Sequence, residues 1–442
     1  MNWSYFKATV NVLKKTIRLS VLSFIVTTNI AFANDLYLES VSLSDAIQRT
    51  LANNPQLTAF EYKQKRLGGE LVTAELKPEY NFGVELENFA GTGDVSGLSD
   101  AELTLSISSV VELGDKVNSR KFYVNAQKQA IAVEERIQTL DILGEVTTRY
   151  IDVLTLQQVM RVNENAEKLA RETYQTVSKK VRIGSAPSSE QKRAEAALAT
   201  ARLKTLTISK QLDASVRKLA IMWGEQSPKF SRVSGDLFAF PKTISLEYIM
   251  AQLSQSPHLL AYAEQSRVQQ AQLQLINTQS KANITWSAGI KRLEGSNDTT
   301  LVAGVSVPLF TSDRNRGNYQ SQKAKLSEVE QQQKAAERVL YSQLAMFYAA
   351  QEEARLTVEA LQTNIIPPQE EALALVQKAY SDGRFSYLEL VSVQKELIDM
   401  QYALIFAASD VHKQSVAIEA LSGIPLISSS NTASQLSSFS EN

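Results

Sequence analysis

The sequence predicts an α+β membrane protein built from one structural unit written twice. Three observations carry that reading. The chain resembles itself at an offset of roughly 200 residues, four segments alternate apolar and polar side chains, and two helical tracts each run for roughly 65 residues.

Residues 1–33 read as a secretory signal peptide. Lys7, Lys14, Lys15 and Arg18 precede the apolar run Leu19 to Ile30, and Ala31-Phe32-Ala33 supplies the small-x-small cleavage pattern. The run is shorter than the ~20 residues a spanning helix needs. Cleavage before Asn34 removes four basic residues and no acidic one, which takes the formal net charge from −1 to −5.

The duplication sets the domain boundaries. Ser42-Leu43 opens a short helix that breaks at Asn53-Asn54-Pro55, and Ser245-Leu246 opens another that breaks at Gln255-Ser256-Pro257. Each break is followed by a helix, two strands, a very long helix, a turn and a return helix. The first repeat covers 34–240, with strands near 81–89 and 102–111 and a hairpin tip near 181–187. The second covers 241–426, with strands near 283–291 and 300–309 and a tip near 380–386. The Ser-, Asn- and Thr-rich tail 427–442 reads as disordered.

The strand segments follow period two. Phe82, Val84 and Leu86 oppose Asn81, Gly83, Glu85 and Glu87, and Leu103, Leu105 and Ile107 oppose Thr104, Ser106 and Ser108. Ile284, Trp286, Ala288 and Ile290 oppose Asn283, Thr285, Ser287 and Lys291, and Leu301, Ala303, Val305 and Val307 oppose Val302, Gly304 and Ser306. One apolar and one polar face over ~9–11 residues suits a tilted transmembrane strand. A soluble two-layer sheet gives the same alternation. Glu85 and Glu87 fall on the polar face, which in a barrel is the lumen. Trp286 and Tyr80 fit lipid-facing and interfacial positions.

The helices decide between these readings. Tracts near 117–183 and 313–381 correspond to ~100 Å of helix each, too long for one compact domain. The segments near 55–77 and 188–223, and near 257–279 and 385–422, add up in each repeat to about the length of one long helix. A long helix therefore lies beside two shorter ones stacked end to end. Leu390, Val393, Leu397, Met400, Leu404 and Ala407 mark the seam with a 3, 4 spacing, and Val133, Ile137, Leu140, Ile151 and Leu154 fit the same frame. Pro367-Pro368 interrupts the second tract and predicts a kink or local break.

Composition narrows the function. The chain has 46 Lys plus Arg against 47 Asp plus Glu, which argues against nucleic-acid binding. It has no Cys, so thiol chemistry, zinc-cysteine sites and an acylated cysteine anchor are excluded. His258 and His412 are isolated, and no phosphate loop, spaced metal ligands or catalytic triad occurs, so neither an enzyme nor a cofactor is expected. A periplasmic adaptor would show one hairpin between separate β-domains, and a coiled-coil scaffold would leave the four alternating segments unexplained.

The chain resembles the TolC-like outer membrane efflux proteins, and more closely their cation-efflux branch, the CzcC-like proteins. The resemblance rests on Ser42-Leu43-Ser44-Asp45-Ala46-Ile47 with Asn54-Pro55, on Glu112-Leu113-Gly114-Asp115-Lys116, on Ser306-Val307-Pro308-Leu309-Phe310, and on Pro367 followed by Tyr380-Ser381-Asp382-Gly383-Arg384-Phe385-Ser386-Tyr387-Leu388-Glu389-Leu390. It implies a homotrimer with a twelve-stranded β-barrel in outer membrane lipid, continued by a periplasmic α-helical barrel. It also implies a periplasmic adaptor (membrane fusion protein) and an inner-membrane pump of the resistance-nodulation-division type as partners, with metal cations as substrate class. On this resemblance the adaptor docks at the tips, here Arg182, Gly184 and Ser185 and Tyr380, Asp382, Gly383 and Arg384. Glu389 and its counterpart Glu190 fall at the periplasmic constriction, with Ser392 where relatives carry a second acid. Pro367 and Pro368 are either a pivot for tip opening or a source of curvature.

Overall fold

In the computed structural model, which describes residues 40–93 and 97–425, a two-residue strand β1 (Ser40–Val41) leads into helix α1 (Leu43–Asn53). Ser42 caps α1. Its hydroxyl accepts the Asp45 N–H at 3.1 Å, and the Asp45 carboxylate accepts the Ser42 N–H at 3.2 Å. Bonds from Ser42 hold the Asp45 carboxyl below its ordinary range. Asn54 caps α2 (Pro55–Glu75) by accepting the Gln56 N–H at 2.9 Å, and Pro55 sits at the first helical turn, where a missing N–H is harmless.

The chain continues through β2 (Tyr80–Glu87), β3 (Glu102–Glu112), the 67-residue α3 (Lys116–Arg182) and α4 (Ser188–Ala220), which ends in a 3₁₀ turn. A connector holding β4 (Arg232–Val233) follows, then α5 (Leu246–Ala251) and α6 (Pro257–Gln279). The second repeat closes with β5 (Asn283–Leu293), β6 (Asp298–Ser306), α7 (Thr311–Ala360), a π-helical turn at Leu361–Ile365, α8 (Ile366–Ser381) and α9 (Tyr387–Ser422). The signal peptide and the tail expected at 427–442 lie outside the described residues.

The two repeats do not form separate domains. The strands make one antiparallel sheet in the order β2-β3-β5-β6, so β3 of the first repeat pairs with β5 of the second, from Glu102 opposite Leu293 to Glu112 opposite Asn283. The first and last strands, β2 and β6, are left at the edges. Long helix α3 packs on α2 and α4 of its own repeat and also on α6 and α9 of the other. All described residues accordingly belong to one compact unit.

Two basic side chains fasten the sheet to the helices. Arg120 on α3 forks onto the Glu112 carboxylate at 2.7 and 2.9 Å and donates to the Leu76 carbonyl at 3.0 Å. Lys116 is buried and donates to the Lys281 carbonyl at 2.7 Å and the Asn283 side chain at 2.5 Å, which ties α3 to the entrance of β5. Between them, Gly114 and Asp115 are both left-handed, with φ of +86° and +63°, and make the reversal from strand to helix. This is the physical content of the Glu112-to-Lys116 motif.

The apolar core sits in the helices. One cluster gathers Ile142, Val146, Tyr150 and Val153 of α3 with Leu219, Leu237, Ala408 and Val411, and a second fills the lower hairpins with Val177, Ala194, Leu373, Val376, Leu390 and Leu397. The stripe read on α9 lies on this seam: Leu390, Leu397 and Ala407 are buried, and Val393, Met400 and Leu404 are half-buried. Two polar pairs fix the register of α9 on α3, Gln394 to Thr173 at 3.0 Å and Tyr402 to Asn163 at 2.8 Å. The connector was not anticipated as a packed element. It straps the bundle through the parallel pair β1–β4, Gln157 on both the N–H and C=O of Val233, and His412 on the Leu237 carbonyl at 2.9 Å.

Candidate functional site

Register gives the sheet two chemically different faces, because residues directly opposite in antiparallel strands share a side. Phe82, Ile107, Ala288 and Ala303 form one transverse row and Val84, Leu105, Ile290 and Leu301 the next. These apolar side chains are open to the surroundings: Phe82 is 69%, Val84 61% and Leu301 87% exposed. Tyr80 and Trp286 end this face on the helix side in an edge-to-face contact of 6.4 Å. An apolar patch of this extent needs a covering.

The opposite face is polar and built from small residues. Gly83, Ser106 and Gly289 share a row, and a side chain at Gly289 would stand 2.4 Å from the Leu105 carbonyl oxygen. Such crowding marks a close approach of neighbouring backbone, where only glycine fits. Glu85 and Glu87 lie on this face, as expected. Glu87 pairs with Lys291 at 2.8 Å, and Lys291 also bonds Glu102 at 2.5 Å. Sequence reasoning placed Lys291 on the polar face but gave it no role and missed Glu102. The diagonal reach across three strands follows from register, which composition does not reveal.

At the far end of the helices, the two turns share one construction. Gly184 and Gly383 have φ of +78° and +79°. Gly184 N–H bonds the Val181 carbonyl at 3.0 Å and Ser185 N–H the Lys180 carbonyl at 2.8 Å, while Gly383 and Arg384 bond Tyr380 and Ala379 at 3.1 and 2.8 Å. These are Schellman closures, in which glycine takes the left-handed position without steric cost. Open space lies above both glycines. Arg182 ends α3, and Arg384 pairs with Asp382 at 2.9 Å.

Tyr380 joins the two hairpins. Its phenol donates to the Glu190 carboxylate at 3.3 Å, its carbonyl accepts the Lys180 ammonium at 2.6 Å, and that ammonium stands 4.8 Å from its ring. Burial, reinforced by the Glu190 charge, pushes the Tyr380 phenol up to about 12, so it stays a neutral donor. Lys180, in the last turn of α3, gave no sequence signal because its partner lies 200 residues away.

Glu190 and Glu389 do different local work, despite their equivalent places in the repeat. Glu389 closes a capping box on α9, accepting the Ser386 N–H at 2.8 Å and its hydroxyl at 2.9 Å. These bonds hold its carboxyl below the ordinary range. The Ser-x-x-Glu spacing at 386–389 carried this signal. Pro367 and Pro368 open α8 and do not stop the helix. The preceding turn changes instead: Ile366 N–H bonds the Leu361 carbonyl five residues back, the π pattern that relieves carbonyls facing a proline ring.

The comparisons with known proteins agree with this architecture. The family model described as Outer membrane efflux protein matches residues 46–225 and 249–424. The Cobalt-zinc-cadmium resistance protein CzcC of Cupriavidus metallidurans is 23% identical over 388 residues, covering 87% of this chain and 90% of that one. The Nickel and cobalt resistance protein CnrC of the same organism is 24% identical over 63% of this chain and 66% of its own length. Among solved structures, CusC superposes with a TM-score of 0.72 at 14% identity, covering 85% of this chain and 91% of its own. The outer membrane protein VceC of Vibrio cholerae superposes with 0.69 at 18%, covering 86% and 96%; both likenesses speak to the fold. With the family model spanning both repeats, the chain belongs to the outer membrane efflux protein family, whose members are channels of the outer membrane with periplasmic helices and not enzymes.

Proposed function

We propose that three copies of this chain form a passive exit duct across the outer membrane. The observation that carries the proposal is the sheet: an exposed apolar face, a crowded polar face and two unpaired edges. In lipid an open edge leaves amides and carbonyls unbonded at several kcal/mol each, so the sheet must close with copies of itself. Pairing β6 of one protomer with β2 of the next is the head-to-tail solution. The resemblance to TolC-like proteins supports three protomers and twelve strands. Residues 1–33 act in export and are removed, and 34–240 and 241–426 are the two repeats. Glu85 and Glu87 then face the lumen, and Glu190 and Glu389 lie near the periplasmic mouth.

The hairpin tips, with Arg182, Gly184, Ser185, Tyr380, Asp382, Gly383 and Arg384, dock a periplasmic adaptor that links the duct to an inner-membrane pump of the resistance-nodulation-division type. Pro367 and Pro368, with the π turn before them, supply the pivot for tip opening. The duct consumes no energy itself, and the pump selects the substrate. Metal cations are the proposed substrate class, supported by the resistance names of the two Cupriavidus relatives.

The test joins mass, conductance and export. Detergent-extracted protein should run as a trimer of mature chains with low single-channel conductance; a soluble monomer would refute the barrel. Gly383→Asn separates turn from docking surface, because Asn tolerates the left-handed conformation while adding a side chain into the open space. Docking predicts normal trimer levels with lost metal tolerance in cells. Normal tolerance for both Gly184→Asn and Gly383→Asn would leave these glycines as turn formers only.

A further inference from the structure

On the polar face of the sheet, Glu87 stands directly opposite Glu102, and in the same row Leu293 is opposite Asp298. Like charges directly opposite each other destabilise a strand pair. The neighbouring row runs Glu85, Thr104, Lys291, Thr300. From there Lys291 reaches diagonally to both carboxylates at 2.8 and 2.5 Å, and Asn88 donates to the other Glu102 oxygen at 3.0 Å. Lys291 and Glu102 are each only 23% exposed, so the ammonium is held against the wall and does not hang in solvent. Glu85 and Asp298 make no ion pair among the described residues.

We propose that Lys291 sets the ionic selectivity of the duct by acting as an internal counter-ion for the Glu87–Glu102 pair. The inference rests on the reading that the polar face lines the lumen. Two carboxylates converging on one point make a ready oxygen site for a divalent cation. Conduction requires that a passing ion bind weakly enough to leave. The tethered ammonium fills the site permanently, so a divalent cation passes the wall without being trapped. It also lowers the charge of the Glu85, Glu87, Glu102 and Asp298 set from −4 to −3 in each protomer.

The experiment uses purified full-length channels in planar bilayers. It reads the reversal potential in a KCl gradient and the block of potassium current by Ca²⁺. Screened by about 0.1 M salt, the three lysines of the trimer, each about 10 Å from a passing ion, together change its weight about twofold, oppositely for cation and anion, so Lys291→Met should raise the cation-to-anion permeability ratio about four- to fivefold. The same variant should gain block by millimolar Ca²⁺. Glu102→Gln should lower the ratio, and adding Lys291→Met to it should restore the wild-type value without Ca²⁺ block, since one carboxylate remains. That second background tests Lys291 even if the single variant fails to assemble. A Lys291→Met change that leaves ratio and block unaltered, while Glu85→Gln lowers the ratio, overturns the assignment and keeps the lumen reading. If Glu85→Gln is silent as well, the lumen reading falls and the assignment with it.

Discussion

Removing one oxygen atom from the tip should open the duct. In Tyr380→Phe the ring, the Lys180 bond to the backbone carbonyl and the packing against Tyr387 remain, and only the phenol bond to Glu190 is lost. A hydrogen bond to a charged acceptor is worth about 1.5–3 kcal/mol, but 3.3 Å is longer than the usual O–H···O range and Glu190 regains water once freed, so about 1 kcal/mol is the fitting value. That is about a fivefold change in the balance between joined and parted tips in one protomer. Three independent latches in the proposed trimer multiply to about 150-fold, or about 3 kcal/mol. Single-channel recording reads this directly as the ratio of time in high- and low-conductance states. A ratio within about twofold of wild type, less than one latch, would show that the tips are held by something else. The pH response has a defined sign. The phenol is raised from 10.0 to about 12, so its stabilisation is complete below pH 10 and lost as pH rises through about 12. The latch contribution should therefore be flat through the neutral range and vanish in strong alkali.

Gly289→Ala places a methyl group 2.4 Å from the Leu105 carbonyl, at the seam between the repeats, and should abolish heat-stable trimers on gels while the helical circular dichroism signal persists. His412 is buried against the Leu237 carbonyl and the Phe240 ring, and burial, aided by nearby Arg355, lowers its pKa below 6.5. Its contribution is present above pH 6.5 and is lost as pH falls through the folded-state value, so thermal scans should show a lower midpoint at pH 5 that His412→Gln no longer displays. Replacing Pro367 and Pro368 together with Ala removes the reason for the π turn at Leu361–Ile365 and should reduce tip opening, read as fewer high-conductance events in the Tyr380→Phe background.

The features legible in the sequence are those fixed by local periodicity. Period two located the four strands and sorted Glu85 and Glu87 onto the polar face, and the 3, 4 spacing found the α9 seam. Gly184 and Gly383 announced the reversals because few other residues accept φ near +78°. Where two physical reasons compete for one residue, the reading was incomplete. Glu389 matched a constriction position, yet its side chain is occupied by the cap at Ser386. The prolines announced a break, but the strain is relieved one turn earlier, where the carbonyls facing their rings lie. Lys180, Glu102 and Lys291 stayed silent because their partners are set by packing between hairpins and by strand register, neither of which leaves a local pattern.

None of the buried apolar residues among the described ones lies in β2, β3, β5 or β6; the core belongs to the helices and their connector. The helical body can therefore mature in the aqueous periplasm on its own resources, while the strands have nothing to rest on until lipid and sibling chains arrive. For the proposed trimer, oligomerisation and membrane entry then become a single thermodynamic event. A chain that misses it is a helical bundle carrying an adhesive flap, with an uncovered apolar face and two open edges.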